Sequence, residues 1–171
     1  RLSGAGYPAD RHSVFLANDN SDYQVILSGT AERINEVTPE IKKTHPKCRI
    51  IELDVSGAFH SSAMEEAGRG LKAITKALPL RKPEIPVILN ATADFADVKK
   101  LRKNPSKQLV GAVLWRQTIK KMLKEGGIDN FCEIGPKPIL TGLTKDIVRA
   151  EALRNPKILT LAIKTSFFRI V

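Results

Sequence analysis

The chain has 171 residues and a formal net charge of +10, from 28 Lys and Arg against 18 Asp and Glu. Its hydrophobic fraction of 42% is ordinary for a globular protein, and no window approaches eighteen uncharged apolar residues, so no membrane-spanning segment is expected. Aromatic residues are few and do not interleave with the lysine clusters, which argues against nucleic-acid binding by base stacking. The positive charge indicates either solvated helix faces or an anionic partner.

The chain starts at Arg1 rather than at Met, and residues 1–9 lack the apolar core of a secretory signal, so we expect a truncated or processed product. The two cysteines, Cys48 and Cys132, are far apart and have no companions at metal-ligand spacing. Cys132 lies in an apolar run and is predicted to be a buried thiol. We therefore expect no metal site, no disulfide and a reducing compartment.

Residues 1–54 have the pattern of a small α+β unit. Strands are predicted at residues 14–17, 25–28 and 49–55, where apolar or alternating runs occur, and turn formers fill residues 18–22. A helix is expected to begin after Thr30, its N-cap, and to run towards Lys43 with a break at Pro39. The order strand, strand, helix, strand indicates a unit that lacks its opening strand and helix.

From residue 62 onward, helical and strand patterns alternate. Helices are predicted at residues 62–78, 107–110, 115–125 and 139–149, and a basic linker precedes the second of them. Strands are predicted at residues 85–90, 130–134 and 158–163. The first helix carries one apolar stripe, formed by Met64, Ala67, Leu71, Ile74 and Leu78. Strands separated by helices indicate an α/β fold with a parallel or mixed sheet.

One of the three histidines, His60, lies at the junction between a predicted strand and a helix. Small residues leave access to its ring on both sides: Gly57, Ala58, Ser61, Ser62 and Ala63. A general base needs such access and needs its far ring nitrogen held in one tautomer. His12 and His45 lie in polar surroundings and are expected to be exposed. From spacing alone, a capping or structural histidine is the alternative reading of His60.

Four segments follow one another along the chain: Asn18-Asp19-Asn20-Ser21 with Gln24-Val25-Ile26, Phe59-His60-Ser61-Ser62-Ala63-Met64, Gln108-Leu109 with Val113 and Trp115, and Glu133-Ile134-Gly135-Pro136 with Leu140-Thr141-Gly142-Leu143-Thr144-Lys145. In this order they resemble the C-terminal half of malonyl-CoA:acyl carrier protein transacylases and of the related acyltransferase domains of polyketide synthases. The resemblance covers residues 18 to about 148, and no single segment would be enough to carry it.

The resemblance implies a partial α/β-hydrolase-like acyltransferase core over residues 55–171, preceded by an incomplete ferredoxin-like α+β subdomain over residues 1–54. It also implies transfer of a malonyl group from coenzyme A to the phosphopantetheine thiol of acyl carrier protein, as in fatty-acid synthesis, through a serine ester. His60 matches the family's catalytic base, and the main-chain carbonyl of Gln108 would orient its second nitrogen. Asn18 or Asn20 would line the cleft between the subdomains. The coenzyme A thioester is a substrate, and no cofactor is expected.

The sequence departs from the family in lacking the Gly-His-Ser-Leu-Gly turn that carries the nucleophile. The arginine that pairs with the malonyl carboxylate belongs to the same absent region, so the acyl group is not fixed by the resemblance. We expect no catalysis by this chain alone and an exposed face where the absent half would pack. The alternative function is an inactive fragment that docks acyl carrier protein through its basic helices. A cytoplasmic location is expected, with mitochondrion and plastid as alternatives.

Overall fold

The computed structural model describes residues 14–151 and 156–162, so the predictions for Arg1, His12 and Ile163 lie outside the described residues. The strands are β1 (Phe15–Ser21), β2 (Gln24–Ser28), β3 (Ile88–Leu89), β4 (Asp94–Phe95), β5 (Asn130–Gly135) and β6 (Lys157–Ala162). The helices are α1 (Ala31–Thr44), α2 (Glu65–Lys76), α3 (Val98–Val110), α4 (Trp115–Lys124) and α5 (Ile139–Ala150), and a single 3₁₀ turn (Ser62–Met64) precedes α2. None of these helices is long and apolar enough to cross a membrane.

The first two strands form an antiparallel hairpin that is longer than the sequence predicts. The predicted turn at residues 18–22 is wrong, because β1 continues to Ser21 and pairs there with Gln24. Asp19 and Asn20 are buried in this strand, and both side chains find hydrogen-bond partners. Polar residues that favour turns by bonding to nearby backbone are therefore satisfied by more distant groups, and the strand is not interrupted.

Helix α1 begins as predicted, since the Thr30 hydroxyl accepts a hydrogen bond from the N–H of Arg33. The predicted break at Pro39 is wrong, because the helix runs unbroken to Thr44. Pro39 and Asn35 both lie on the exposed side of the helix. Because Pro39 has no N–H to donate, the Asn35 carbonyl lacks its helical partner, but it can bond to water. The helix therefore continues through the proline.

The strand predicted at residues 49–55 is also wrong. This segment has no regular secondary structure, and Ile51, Leu53 and Val55 are each at least half exposed. An alternating run becomes a strand only when a neighbouring strand pairs with it, and no described strand does so. The segment connects α1 to the His60 junction, and the proposed domain boundary at residues 54 and 55 stays a prediction.

Helices α2 and α3 pack against each other as an antiparallel pair. Gly68 faces the C-terminal part of α3, where an added Cβ would lie 3.4 Å from the carbonyl oxygen of Ser106, so the absence of a side chain lets the helices approach. At the other end, one Arg102 nitrogen donates to the carbonyls of Thr75, Lys76 and Leu78 at 2.6 to 2.9 Å and closes α2. Arg102 thus connects the C-terminal end of α2 to α3.

The predicted basic linker before Pro105 is wrong, because α3 already begins at Val98. The carboxylate of Asp97 caps the helix by accepting a hydrogen bond from the N–H of Lys100 at 2.6 Å. The predicted apolar stripe on α2 is only partly covered, since Ile74 is 64% exposed. Part of the apolar surface that the sequence provides is thus left without a packing partner among the described residues.

Strands β5 and β6 lie parallel and are connected through α5. The residues of β5 alternate between half-buried and exposed, and α5 covers only one face of the pair. The prediction that Cys132 is buried is wrong, because Cys132 and Ile134 lie on the uncovered face. Parallel sheets are normally covered on both faces, so this face presents apolar surface to solvent. The core itself lies between β1, α4 and α5, around the fully buried Ile119 and Ile147.

Candidate active site

The backbone at His60 is held in an unusual conformation. Its φ angle is +61°, in the left-handed region that residues other than glycine rarely adopt. Its N–H donates to the carbonyl of Leu109 at 3.0 Å. The next residue, Ser61, is buried, and its hydroxyl donates to the carbonyl of Ala58 at 2.5 Å. These contacts fix the junction on both sides of the histidine, and strain of this kind is typical of functional sites.

The ring of His60 is oriented by two main-chain carbonyls. Its Nδ1 lies 2.7 Å from the carbonyl oxygen of Gln108 and 3.1 Å from that of Gly111. A carbonyl oxygen can only accept a hydrogen bond, so Nδ1 carries the hydrogen. In the neutral ring, Nε2 is then left unprotonated and available as a base. The structure places Gln108 on this ring through its backbone, and the catalytic roles of both residues stay predictions.

The carbonyl of Gly111 reaches the ring because α3 ends one residue earlier. The N–H of Gly111 donates to the carbonyl of Lys107 at 2.8 Å, and an added Cβ would lie 2.9 Å from that same oxygen. A side chain at this position would therefore displace either the helix end or the loop. Gly111 thus permits a tight turn directly under the histidine ring.

The loop after Gly111 is attached to strand β1. The N–H of Val113 donates to the carbonyl of Ala17 at 2.8 Å, and the N–H of Asp19 donates to the carbonyl of Val113 at 2.9 Å. This short parallel bridge flanks Asn18. It brings the Asn18 backbone into the same assembly as the turn that holds His60. Its predicted role in lining the cleft stays a prediction.

The second asparagine predicted to line the cleft, Asn20, bonds within the β1–β2 hairpin. Asn20 is 7% exposed, and its amide nitrogen donates to the side-chain oxygen of Gln24 at 2.7 Å across the hairpin. Its side chain therefore contributes to the register of β1 and β2 in this structure. The role of Asn20 in substrate binding stays a prediction.

Sequence reasoning missed a polar cluster that fixes β1 against α4. The buried carboxylate of Asp19 accepts hydrogen bonds from Arg116 at 2.9 Å and from Gln117 at 2.6 Å. The hydrogen bond that Arg116 donates to Asp19 raises the pKa of Arg116 above its usual value, burial opposes this rise, and the hydrogen bond to Asp22 adds to it. Since Asp19 also bonds to Val113 through its backbone, the cluster supports the loop that carries Gly111. No local spacing in the sequence signals it.

Glu133 is the acidic residue of the fourth family segment, and the structure places it at the start of α5. Its carboxylate accepts hydrogen bonds from the N–H groups of Leu140 at 3.0 Å and Thr141 at 2.7 Å. Burial raises the pKa of Glu133, but the hydroxyl of Thr141 and the N–H groups of the first helical turn outweigh it, so the net pKa is lowered. The residue acts as a helix cap and has no role in the His60 cluster.

Within the described residues, no group of three or more His, Cys, Asp and Glu side chains could hold a metal ion. The expectation that the reaction uses no cofactor stays a prediction. A histidine with one protonated and one free ring nitrogen can accept a proton from a hydroxyl or thiol placed next to it. The arrangement at His60 is compatible with a general base, and that role stays a prediction.

Several known proteins are similar to this chain in sequence and in structure. Residues 8–165 match the family model described as acyl transferase domain. A curated malonyl CoA-acyl carrier protein transacylase of Bacillus subtilis is 36% identical over 156 residues, which cover 89% of this chain and 49% of that protein. The crystal structure of MCAT from Streptococcus pneumoniae superimposes with a TM-score of 0.79 and 25% identity over 90% of this chain and 48% of its own.

A second solved structure is a type II PKS acyl-carrier protein in complex with its malonyl-transacylase, with a TM-score of 0.77 and 28% identity over 88% of this chain and 46% of that chain. The chain thus spans about half the length of the relatives that it matches. These structures confirm the predicted α/β acyltransferase fold in partial form. With the family model matched over most of its length, this chain belongs to the acyl transferase domain family.

Proposed function

We propose that this chain supplies the histidine-bearing part of an acyltransferase that moves a malonyl group from coenzyme A to the phosphopantetheine thiol of an acyl carrier protein. The observation that carries the proposal is the His60 ring, whose Nδ1 donates to the carbonyls of Gln108 and Gly111 and so leaves Nε2 free. A relative that is 36% identical is named a malonyl CoA-acyl carrier protein transacylase, and a solved relative is a malonyl-transacylase in complex with its acyl-carrier protein. Because the chain spans about half of their length, the proposal concerns a whole protein to which this chain contributes.

In the first half-reaction, Nε2 of His60 takes the proton of a serine hydroxyl while the serine oxygen attacks the thioester carbonyl of malonyl-CoA. The tetrahedral intermediate then collapses, the carbon–sulfur bond breaks, and the imidazolium returns the proton to the sulfur of coenzyme A. The products are a malonyl-serine ester and free coenzyme A. The two carbonyls next to Nδ1 stabilise the imidazolium, since both accept from its N–H.

In the second half-reaction, His60 takes the proton of the carrier's phosphopantetheine thiol, and the sulfur attacks the ester carbonyl. The carbon–oxygen bond breaks, the serine oxygen regains the proton, and malonyl acyl carrier protein leaves. Both steps are acyl and proton transfers, so they balance without a redox partner. The base is used twice and is unchanged at the end, as a ping-pong mechanism requires.

The nucleophile would come from the family's Gly-His-Ser-Leu-Gly segment, which this sequence does not contain. The uncovered apolar face that includes Ile134 and the exposed segment at residues 49–55 support packing against a further half of the fold. We therefore assign the histidine to this chain and the serine to the remaining part of the acyltransferase.

The test combines this chain with the serine-bearing part of the Bacillus subtilis relative, defined as the part of that protein outside the matched region. Transfer of radiolabelled malonyl from coenzyme A to holo acyl carrier protein is measured for the wild type and for His60→Ala. We expect the substitution to lower the rate at least about hundred-fold, since a general base contributes that much. His45→Ala is the matched control, because His45 is exposed at the end of α1, and it should leave the rate unchanged.

Equal rates for the two variants would refute the role of His60. A malonyl ester formed on a serine of this chain alone, detected as a mass increase, would refute the assignment of the nucleophile to the other part. Carrier binding without transfer in the combined sample would favour the alternative of an inactive docking fragment.

A further inference from the structure

His60 lies in a tight turn that contains no glycine. The turn runs from Ala58 to Ser61, and its third residue, His60, has a φ angle of +61°. Turns that need a positive φ at this position normally have glycine there, because a residue with a Cβ is poorly accommodated. Contacts made by other residues must therefore hold the His60 backbone in this conformation.

The hydroxyl of Ser61 joins the two sides of this turn. It donates to the carbonyl of Ala58, two residues before the histidine, at 2.5 Å. It also accepts a hydrogen bond from the N–H of Ala63, three residues after the histidine, at 3.2 Å. Ser61 is 1% exposed, so water does not compete for either hydrogen bond. The serine thus connects the chain before His60 to the helical segment after it.

The hydrogen bond between Ser61 and Ala58 depends on the φ angle of His60. Ala58 lies before the N–Cα bond of His60 and Ser61 lies after it, so rotation about that bond would separate the hydroxyl from the carbonyl. The N–H of His60 donates to the carbonyl of Leu109 at 3.0 Å, but this contact fixes only the peptide group before the N–Cα bond. Of these two hydrogen bonds, only the one from the Ser61 hydroxyl therefore restrains φ.

The same φ angle determines where the histidine ring lies. Rotation about the N–Cα bond moves the Cα–Cβ bond, and the ring moves with it. Nδ1 of His60 would then leave the carbonyl oxygens of Gln108 and Gly111, which now lie 2.7 Å and 3.1 Å away. Without these acceptors the hydrogen is no longer held on Nδ1, and Nε2 is no longer kept free.

We infer that Ser61 is a positioning residue for the candidate base: its hydroxyl holds the φ angle of His60 and so keeps Nδ1 on the carbonyls of Gln108 and Gly111. The inference rests on the proposed function, since it concerns the base of the proposed transfer. Ser61 is buried and acts only through the histidine.

An ordinary helix cap is the alternative role of this serine. A cap needs only the hydrogen bond that the hydroxyl accepts from Ala63. The hydrogen bond donated to Ala58 lies on the other side of the histidine and adds nothing to the helical segment. Because this second bond spans His60, it favours the positioning role.

The test records the His60 ring in the full 171-residue chain by two-dimensional ¹H–¹⁵N NMR at a pH of about 8.5, where imidazole rings are neutral. The ring signals are assigned by their loss in His60→Ala. Ser61→Ala removes both hydrogen bonds, and Ser61→Thr keeps the hydroxyl. Ser62→Ala is the matched control, since Ser62 is the next residue and its hydroxyl bonds to no described residue. Circular dichroism checks that each variant folds.

We expect the wild-type ring to carry its hydrogen on Nδ1 and the Ser61→Ala ring to lose this signature. Ser61→Thr and Ser62→Ala should keep the wild-type spectrum. In the sample combined with the serine-bearing part, Ser61→Ala should lower kcat for malonyl transfer about ten-fold or more. KM for malonyl-CoA should stay within about two-fold of wild type, because a misplaced base slows the chemical step and leaves substrate binding intact.

A wild-type ring spectrum in Ser61→Ala would refute the inference. An equal loss in Ser61→Thr would also refute it, because the space at this position and not the hydroxyl would then decide the ring geometry. The same holds for an equal loss in Ser62→Ala, since any change at the start of the helical segment would then disturb the ring. Unfolding of Ser61→Ala would mean that the serine stabilises the whole fold, which again refutes a specific positioning role.

The outcome is separable from the proposed function. A tautomer that depends on Ser61, together with transfer that is indifferent to His60→Ala, would keep the positioning role and refute the reaction. Transfer that depends on His60, with a ring and a kcat that are indifferent to Ser61→Ala, would keep the reaction and refute the positioning role.

Discussion

Asp19 and Arg116 are 97 residues apart in the chain, and their side chains meet at 2.9 Å. The carboxylate side chain is 4% exposed and the guanidinium side chain 31%, so the pair lies at the edge of the core. Through the backbone bond between Asp19 and Val113, this contact connects the hairpin to the loop under the His60 ring. The geometry of the candidate base therefore depends on a residue that does not touch it.

Asp19→Ala is expected to lower the free energy of unfolding by about 1–3 kcal/mol, because it leaves Gln117 unpaired and Arg116 with only its exposed partner. This loss is smaller than the loss expected when one partner of a fully buried ion pair is removed, because Arg116 is partly exposed to water. Urea unfolding measures the change. Asp22→Ala is the control, since Asp22 bonds to the same arginine from the surface, and it should cost less than about 1 kcal/mol. Equal costs would mean that burial of Asp19 is not what matters.

Gly111→Ala is expected to destabilise the chain by about 1–3 kcal/mol, because its Cβ would lie 2.9 Å from the carbonyl oxygen of Lys107. The displaced turn should also loosen the hydrogen bond to His60 Nδ1, which the ¹⁵N chemical shifts of the ring report. Gly142→Ala adds the same methyl group on α5 with nothing within 4 Å. That control should be neutral or stabilising by up to about 1 kcal/mol. An unchanged ring spectrum in Gly111→Ala would show that the glycine is not required.

Gln108→Ala is expected to have a mild effect on malonyl transfer in the combined sample, within about five-fold of wild type, because the ring contacts only its main-chain carbonyl. Its side-chain amide atoms are buried and have no hydrogen-bond partner among the described residues, so little is lost on truncation. The malonyl-transfer rate of Gln108→Ala is measured together with that of His60→Ala, which shows how large the loss is when the candidate base is removed. A loss as large as that of His60→Ala would mean that the amide itself acts in the reaction.

Acid should weaken the contact between β4 and α3. The hydrogen bond from Lys100 lowers the pKa of Asp94 from 3.8 to about 2. Because the folded-state pKa is the lower one, the stabilising effect is complete above pH 3.8 and is lost as pH falls towards 2. Asp94→Asn should flatten the decrease of stability in this range, measured by urea unfolding at several pH values. Lys100→Gln should flatten it similarly, and an unaltered slope in both variants would contradict the assignment.

The elements with local signals are those that the sequence predicts well. Thr30 caps α1 as predicted, and the ends of α4 and α5 lie within one residue of their predicted bounds, because caps and breakers act within one turn. The strand at residues 49–55 and the burial of Cys132 were wrong for the same reason. Both depend on a neighbouring layer, and an alternating or apolar run does not encode whether that layer is present.

The same distinction between local and long-range signals applies to the candidate site. His60 could be singled out because small residues flank it within a few positions and because residues 59–64 resemble the family's histidine segment. The Asp19 cluster could not, because its members come from β1 and α4 and only the fold brings them together. Lys99, Lys103 and Lys107 belong to a basic stretch of the sequence, where a linker without a defined face is predicted. Only helix α3 aligns these three lysines on one side.

The hydrogen bonds that hold the His60 backbone and ring come from the end of α3 and the turn after it. None of these contacts involves β5 or β6, whose uncovered face needs a further layer. The end of α3 and the turn after it therefore fix the tautomer of the imidazole without any contact to β5 or β6. In the proposed reaction, a polypeptide that brings a serine to this surface has only to place its hydroxyl oxygen near Nε2 of His60, because the orientation of the ring is already fixed.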